Sequence, residues 1–413
     1  MDYKECVEWL YKCMPPFQMV GRSGYKPGME SMRLLDAFLG SPHKNIKTIH
    51  VAGTNGKGSV CNNLCSILME DGNKVGLFTS PHLRDFRERI KVNGEMITEA
   101  EVCEFVDTYR VFLEALLPSF FEVTTAMAFW YFSRQKVDFA VIEVGLGGRL
   151  DSTNVISPLL SVVTNISYDH MNLLGDTLEK IAYEKAGIMK KDTPCVIGRA
   201  DGGVKRVFEE CAEKTGAKAI FCDIKDAVDV DIPDYQIENR NTVRTAVKEL
   251  RKLGYNVSDE AVERGFANVY KNTNFSGRWQ TLSTNPLVIA DCAHNEDGIT
   301  KAVHEIGRQK YKTLRIVFGA CGDKDVEEIL SLLPKDAVYY FAAATTKRAI
   351  PSDQMKEMAA AHGLAGKSCG TVQNALATAK KEADADDFIL VFGSCYVVGE
   401  VVSRDLKIQK NDK

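Results

Sequence analysis

Along the chain, short continuous apolar runs alternate with longer stretches where apolar residues recur every three or four positions. Runs at 48–51, 74–79, 139–142, 159–164 and 195–197 read as strands, with helices between them. Strands that are apolar on both faces and separated by amphipathic helices predict a parallel sheet covered on both sides. Residues 1–20 open with a short helix that places Cys6, Trp9, Leu10 and Cys13 on one face and stops at Pro15-Pro16. A second helix carries Met32, Leu35 and Phe38. Arg89–Val92 and Glu95–Ile97 flank Asn93-Gly94, the strongest two-residue hairpin signal. Thr98 with Glu101 three residues on predicts a capped helix start, and residues 124–135 and 176–189 read as further helices. The acidic stretch 225–235 has little periodicity and reads as a surface excursion, before helices at 239–253 and 259–270.

After the turn-rich segment 271–277 the βα rhythm restarts, with strands near 287–290, 314–318, 337–341 and 388–392. Two domains are therefore expected, 1–284 and 285–413. The expected fold is α/β: an N-terminal P-loop nucleotide-binding domain with a mostly parallel sheet, then a smaller C-terminal Rossmann-like α/β domain. No fixed-period repeat and no low-complexity tract interrupts this pattern.

Composition narrows the function classes. The 413 residues suffice for two or three domains, each with its own core. With 52 basic and 56 acidic side chains the net charge is −4, which argues against a bulk nucleic-acid binder. No apolar run approaches the roughly 18 residues of a membrane span. The first residues lack the basic start and apolar stretch of a secretory signal. Twelve cysteines are scattered without a C-x-x-C pair, and Cys61, Cys65 and Cys195 fall inside helix or strand patterns. A reduced, cytoplasmic setting is the expectation.

The stretch that carries most chemistry is His50-Val51-Ala52-Gly53-Thr54-Asn55-Gly56-Lys57-Gly58-Ser59. It lies between a β-branched run and a helix-like segment at 60–70. Glycines there let backbone N–H groups close round phosphate oxygens, the helix N-terminus adds partial positive charge, and Lys57 adds a full one. Ser59 or Thr54 could contribute a hydroxyl. Glu143 ends a buried-strand pattern, where open α/β sheets bind ligands, so it is placed to hold magnesium on a nucleotide. Glycines at 145, 147 and 148 beside it permit close backbone approach.

The shortened loop G-T-N-G-K-G-S resembles the ATP loop of the Mur ligase superfamily, and most nearly that of the folylpolyglutamate synthase/dihydrofolate synthase family. Further stretches follow in the family's order: Thr79–Leu83, Arg87–Ile90, Glu143–Asp151, Asp169-His170, Glu184–Ile188, Gly277-Arg278, Asp291–Asn295 and Gly393-Ser394. The resemblance implies ATP on Thr54, Asn55, Gly56, Lys57, Gly58 and Ser59, with Asn239 at the adenine, Arg278 at a phosphate and Asp291 near the ribose. It implies magnesium at Ser80, Glu143, His170 and a carbamylated Lys185. His294 would lie near the phosphates or incoming amino acid, which makes Lys57, Lys185, His170 and His294 the catalytic candidates. The pterin site would fall on Gly24, Tyr25, Lys26 and Pro27, on Phe121, Glu122, Val123 and Thr124, and on Leu150, Asp151 and Ser152. Ser394 would belong to the glutamate pocket. Two departures are visible: Cys292 stands where the family usually has glycine, and Lys26-Pro27 stands where bifunctional members commonly carry an acid.

The activity implied is ATP-dependent joining of L-glutamate to the carboxylate of dihydropteroate or a reduced folate, through an acyl phosphate. The expected partners are these small molecules alone, with no nucleic acid or membrane, and the chain is expected to be a monomer. Three other readings stand beside it: folylpolyglutamate synthase alone, a cell-wall Mur ligase, and a regulatory P-loop ATPase. The phosphate loop begins near residue 50, leaving too short a stretch for the separate nucleotide domain of a cell-wall ligase.

Overall fold

The computed structural model describes residues 1–16, 19, 28–223, 232–322 and 326–402. Gly24, Tyr25, Lys26, Pro27 and most of the expected acidic excursion lie outside the described residues. The chain divides into two compact units, Met1–Phe275 and Ser276–Lys413.

In the first unit the strands are β1 (Thr48–Ala52), β2 (Val75–Phe78), β3 (Ile90–Val92), β4 (Glu95–Met96), β5 (Phe139–Glu143), β6 (Leu160–Asn165), β7 (Pro194–Arg199) and β8 (Lys218–Phe221). They form one sheet in the order β4-β3-β2-β5-β1-β6-β7-β8, parallel except for the β2–β3–β4 edge. Every residue of β1, β5 and β6 is buried, which is why they read as mainly apolar runs. The connection after β1 crosses to one side of it, whereas β6 lies on the other. The carboxyl end of β1 is thus a switch point, where an open sheet leaves a crevice.

Helices cover both faces. Lys57–Glu70 is buried on nearly every side from Ser59 to Leu68, so it shows no amphipathic stripe. Its apolar residues pack with Val243, Leu250, Val262 and Phe266, from helices Asp234–Lys252 and Asp259–Thr273, over β1, β5 and β6. The opposite face is filled by an aromatic-rich cluster that includes Phe78, Phe105, Phe129 and Phe132. Thr98 caps its helix as expected, accepting the Glu101 N–H at 3.2 Å while the Glu101 carboxylate accepts the Thr98 N–H at 3.0 Å. The next helix begins at Phe120, earlier than expected, because Ser119 and Glu122 form a second capping box. The helix expected over 176–189 is shorter, Leu178–Ala186, capped by Thr177 and closed at Gly187.

The second unit contains β9 (Gln280–Thr284), β10 (Leu287–Ala290), β11 (Leu314–Phe318), β12 (Val338–Ala343), β13 (Gly366–Thr371) and β14 (Phe388–Phe392), ordered β13-β12-β11-β14-β10-β9. All neighbours are parallel except β9–β10. The units divide at 275/276 rather than near 284, because β9 pairs antiparallel with β10 and belongs to the second sheet. Strands β8, β9 and β13 were absent from the hydrophobic pattern. Each is an edge strand with exposed or half-exposed residues, so none makes a solid apolar run.

Candidate active site

Three strand ends meet at the phosphate loop. β1 runs into Gly53, β5 ends at Glu143 and β6 ends at Asn165, with Val51 in register with Glu143 and Ala52 with Val163. Gly53 has φ +144°, and a Cβ there would overlap Thr164 Oγ1. Gly56 has φ +83° and lies against the side chain of Asn239, so both positions require glycine. The loop is tied down by its neighbours. Thr54 N–H donates to the Asn165 carbonyl and Asn55 N–H to Asn165 Oδ1, each at 3.0 Å. The Asn55 carbonyl accepts from Asn165 Nδ2 at 2.9 Å and Thr164 Oγ1 at 2.5 Å. Thr54 Oγ1 donates to the Ser167 carbonyl at 3.1 Å. With these bonds made inward, the N–H groups at the start of helix Lys57–Glu70 are set for an anion.

Two lysines converge on one carbonyl. Lys57 Nζ donates to the Gly53 and Thr54 oxygens at 3.0 Å each, and Lys185 Nζ donates to the same Gly53 oxygen at 2.9 Å. Lys185 is 4% exposed, and burial with the nearby Lys57 charge brings its pKa down from 10.5 to about 7, against the opposing pull of Asp169 and Asp151. Such an amine is partly neutral near physiological pH.

Glu143 is buried, and its Oε2 accepts the Ser80 N–H at 2.8 Å, which holds Ser80 beside the carboxylate. A Cβ on Gly58 would stand 4.0 Å from Glu143 Oε1, so this carboxylate faces the first turn of the phosphate-loop helix. His170 adopts the left-handed conformation (φ 50°), uncommon for a non-glycine residue and a frequent mark of functional loops. Its N–H donates to Asp169 Oδ1 at 2.9 Å. Carboxylate and hydroxyl oxygens are the ligand type that suits magnesium. Lys185 as an ammonium has donors only and offers no ligand atom to a cation. Beyond the loop, Gln236 Nε2 contacts Ser59 Oγ at 3.4 Å and Asn239 Nδ2 contacts Gln236 Oε1 at 3.3 Å. Asn239 and Gln236 are thereby placed at the loop.

The expected pterin stretches divide by burial. Phe121 is half-buried, with its ring against Gly145. Val123 and Thr124 are fully buried, and the Thr124 hydroxyl donates to the Phe121 carbonyl at 3.1 Å. The Glu122 carboxylate accepts the Ser119 N–H at 2.6 Å and the Ser31 hydroxyl, so it closes the helix start. Asp151, also buried, accepts N–H groups from Gly145, Leu146 and Thr153 at 3.1, 2.9 and 3.0 Å and shapes the glycine turn after Glu143. Leu150 and Ser152 are half-buried beside it.

In the second unit Asp291 follows β10. It accepts the Trp279 N–H at 2.7 Å and the Ala293 N–H at 2.8 Å. His294 Nδ1 donates to the Cys292 carbonyl at 2.8 Å, which makes Nε2 the unprotonated nitrogen of the neutral ring. Arg278 Nη1 donates to the Gly277 carbonyl at 3.0 Å, and Cys292 N–H reaches that same oxygen at 3.0 Å. Ser394 Oγ accepts the Val397 N–H at 3.2 Å and caps the short helix Cys395–Gly399. Sequence reasoning missed Thr164 and Asn165 as supports of the phosphate loop. Their signal is a pair of polar residues at the end of an otherwise apolar strand.

A phosphate loop at the switch point of one parallel sheet, followed by a separate α/β unit, is the architecture of a Mur-type ligase. Residues 51–258 match the Mur ligase middle domain and residues 277–395 the Mur ligase, glutamate ligase domain. The Dihydrofolate synthase/folylpolyglutamate synthase of Bacillus subtilis is 33% identical, across 97% of this chain and 99% of that protein. The Escherichia coli FolC in complex with DHPP and ADP superposes with a TM-score of 0.84 at 30% identity, covering 97% of each chain. A Yersinia pestis bifunctional folylpolyglutamate synthase/dihydrofolate synthase complexed with AMPPNP and Mn ion gives 0.82 at 27% identity, again covering 97% of each. The chain belongs to the folylpolyglutamate synthase/dihydrofolate synthase family. It spans about half the length (50%) of the Haloferax volcanii probable bifunctional folylpolyglutamate synthase/dihydropteroate synthase, to which it is 34% identical.

Proposed function

We propose that this chain is an ATP- and magnesium-dependent ligase that joins L-glutamate to the carboxylate of dihydropteroate and of reduced folates. One observation carries the reading furthest: the buried Lys185 amine and the Lys57 ammonium meet at the Gly53 carbonyl, beside Glu143 at the end of β5. Family membership and near-complete coverage by bifunctional relatives support the substrate assignment.

In this reading the backbone of residues 54–59 and Lys57 hold the ATP phosphates, with Asn239 toward the adenine. Ser80, Glu143, His170 and carbamylated Lys185 would hold magnesium, which offsets charge on the transferring phosphoryl group. The substrate carboxylate oxygen takes the γ-phosphoryl group and ADP leaves. The glutamate nitrogen then forms the C–N bond, phosphate departs with the C–O bonding pair, and the nitrogen gives up its proton. Asp291, Arg278, His294 and Ser394 of the second unit serve nucleotide and glutamate. His294 Nε2, unprotonated in the neutral ring, is a fitting acceptor for that proton. Phe121 offers the half-buried aromatic face for a pterin, and Asp151 positions the glycine turn beside it.

No helix among the described residues is long and apolar enough to cross a membrane. The test is ADP release in the presence of ATP and magnesium, which should require both an acceptor and L-glutamate. Release without an acceptor would favour a plain ATPase, and release with reduced folates alone would restrict the activity to folylpolyglutamate synthesis.

A further inference from the structure

β1 runs buried from Thr48 to Ala52 into the phosphate loop, and its middle residue is a histidine. Ile49 and Val51 join the apolar cluster beneath helix Lys57–Glu70, so strand alternation turns His50 to the other face of the sheet. His50 is fully buried there, and its Nε2 lies 2.8 Å from Thr153 Oγ1. Among the described residues its Nδ1 has no hydrogen-bond partner. The Thr153 hydroxyl, also buried, donates to Asp151 Oδ1 at 2.5 Å. A hydroxyl has one proton to give, so Thr153 Oγ1 accepts from His50 and the imidazole proton sits on Nε2. Burial and the Lys190 charge bring the His50 pKa down from 6.5 to about 3, which keeps the ring neutral.

This chain of donors ends on the glycine turn after β5. Asp151 Oδ1 accepts from the Thr153 hydroxyl and N–H, and Oδ2 from the Gly145 and Leu146 N–H groups. Four such bonds match the lone-pair sites of a carboxylate and commit Asp151 to the turn. The half-buried Phe121 ring lies against Gly145 so closely that a Cβ there would stand 2.5 Å from its Cζ. A shift of the turn would therefore move the ring.

We propose that His50 is a positioning residue of the acceptor site: through Thr153 and Asp151 it fixes the glycine turn that seats the Phe121 ring. The substrate consequence rests on the function proposed above, in which Phe121 offers its face to a pterin; the hydrogen-bond chain itself does not. His50 and Gly53 are three residues apart in sequence, so a packing fault at His50 would spread along β1 to the phosphate loop and ATP. A fault carried through Thr153 reaches the acceptor instead.

Wild type and variants are compared by steady-state ADP release and by hydrogen–deuterium exchange of the peptide carrying Gly145 and Leu146. His50→Leu fills the space without a donor, whereas His50→Gln brings an amide N–H to the neighbourhood of Nε2. His50→Leu should raise the acceptor KM on the order of tenfold, leave kcat and the ATP KM within about twofold, and speed exchange in the turn. His50→Gln should restore both readouts. Adding His50→Leu to Thr153→Val should cost no more than Thr153→Val alone. Equal losses in His50→Leu and His50→Gln overturn the proposal, as does an ATP KM that rises with the acceptor KM, or exchange at the wild-type rate. Should His50→Leu not fold, nitrogen-15 NMR of the wild type decides, with His50 assigned by its missing signal in His50→Gln. A protonated Nε2 and a bare Nδ1 between about pH 6 and 9 is the expected state. A proton on Nδ1 overturns the proposal, because Nε2 would then take the one proton that Thr153 gives Asp151. ADP release that ignores the acceptor, in a wild type with the expected tautomer and exchange, counts against the ligase reading alone.

Discussion

Replacing Lys185 by methionine should abolish ligation and yet stabilise the fold. The folded pKa of Lys185 is about 7, against 10.5 for the ordinary side chain. Between these values the unfolded chain binds a proton there that the folded chain does not, so this residue's contribution rises with pH across that window. The cost of burying Lys185 is full below about pH 7 and gone above about pH 10.5. At about 1.4 kcal/mol per pH unit, the full displacement amounts to about 5 kcal/mol, and to about 4 kcal/mol at pH 7.5. Methionine gives up the hydrogen bond to the Gly53 carbonyl, worth about 1 kcal/mol. A net gain of about 1–3 kcal/mol at pH 7.5 is expected in carbon dioxide-free buffer, narrowing toward pH 10. Denaturant unfolding of both proteins across this range measures it. Added bicarbonate should stabilise the wild type and leave Lys185→Met unchanged, because only a neutral amine forms a carbamate. A variant less stable than wild type at pH 7.5, or a gap that does not change with pH, would refute the reasoning. Free ammonium at Lys185 in carbon-13 labelled active enzyme would refute the carbamate itself.

Lys185→Ala should be inactive yet partly rescued by a short added carboxylate, whereas Lys57→Ala should lose turnover by several orders of magnitude, keep its fold and gain nothing from that treatment. Glu143→Ala should move the magnesium titration of ADP release to much higher concentration; an unchanged titration contradicts the assignment. Gly53→Ala should prevent ATP binding, since its Cβ would overlap Thr164 Oγ1; fluorescent-nucleotide affinity equal to wild type contradicts the packing argument. Replacing Lys26 should change the apparent affinity for dihydropteroate more than that for a folate already carrying glutamate, and equal shifts would remove Lys26 from the acceptor site.

The central strands of the first sheet were legible because they are buried on both faces and written as mainly apolar runs. Thr48–Ala52, Phe139–Glu143 and Leu160–Asn165 each fall within a residue or two of the expected limits. Edge strands β8, β9 and β13 were not legible, since exposed residues such as Lys218 and Thr281 break the run. β9 also displaced the boundary between the units, because pairing with β10 is a long-range choice that local pattern does not contain. The phosphate loop could be read from glycine spacing and Lys57. Its supports could not: Thr164 and Asn165 act through contacts more than a hundred residues away. Glu122 and Asp151 show the converse limit. Both lie in stretches the resemblance assigns to substrate, and the structure commits both carboxylates to backbone N–H groups.

The central claim is that ATP cleavage here serves glutamate ligation to a pterin carboxylate. ADP release is measured with dihydropteroate, tetrahydrofolate and a muramoyl substrate side by side, each with and without L-glutamate. Glutamate-dependent release with both pterin acceptors and none with the muramoyl substrate is the predicted result. Release that ignores glutamate, or that answers only to the muramoyl substrate, would contradict it.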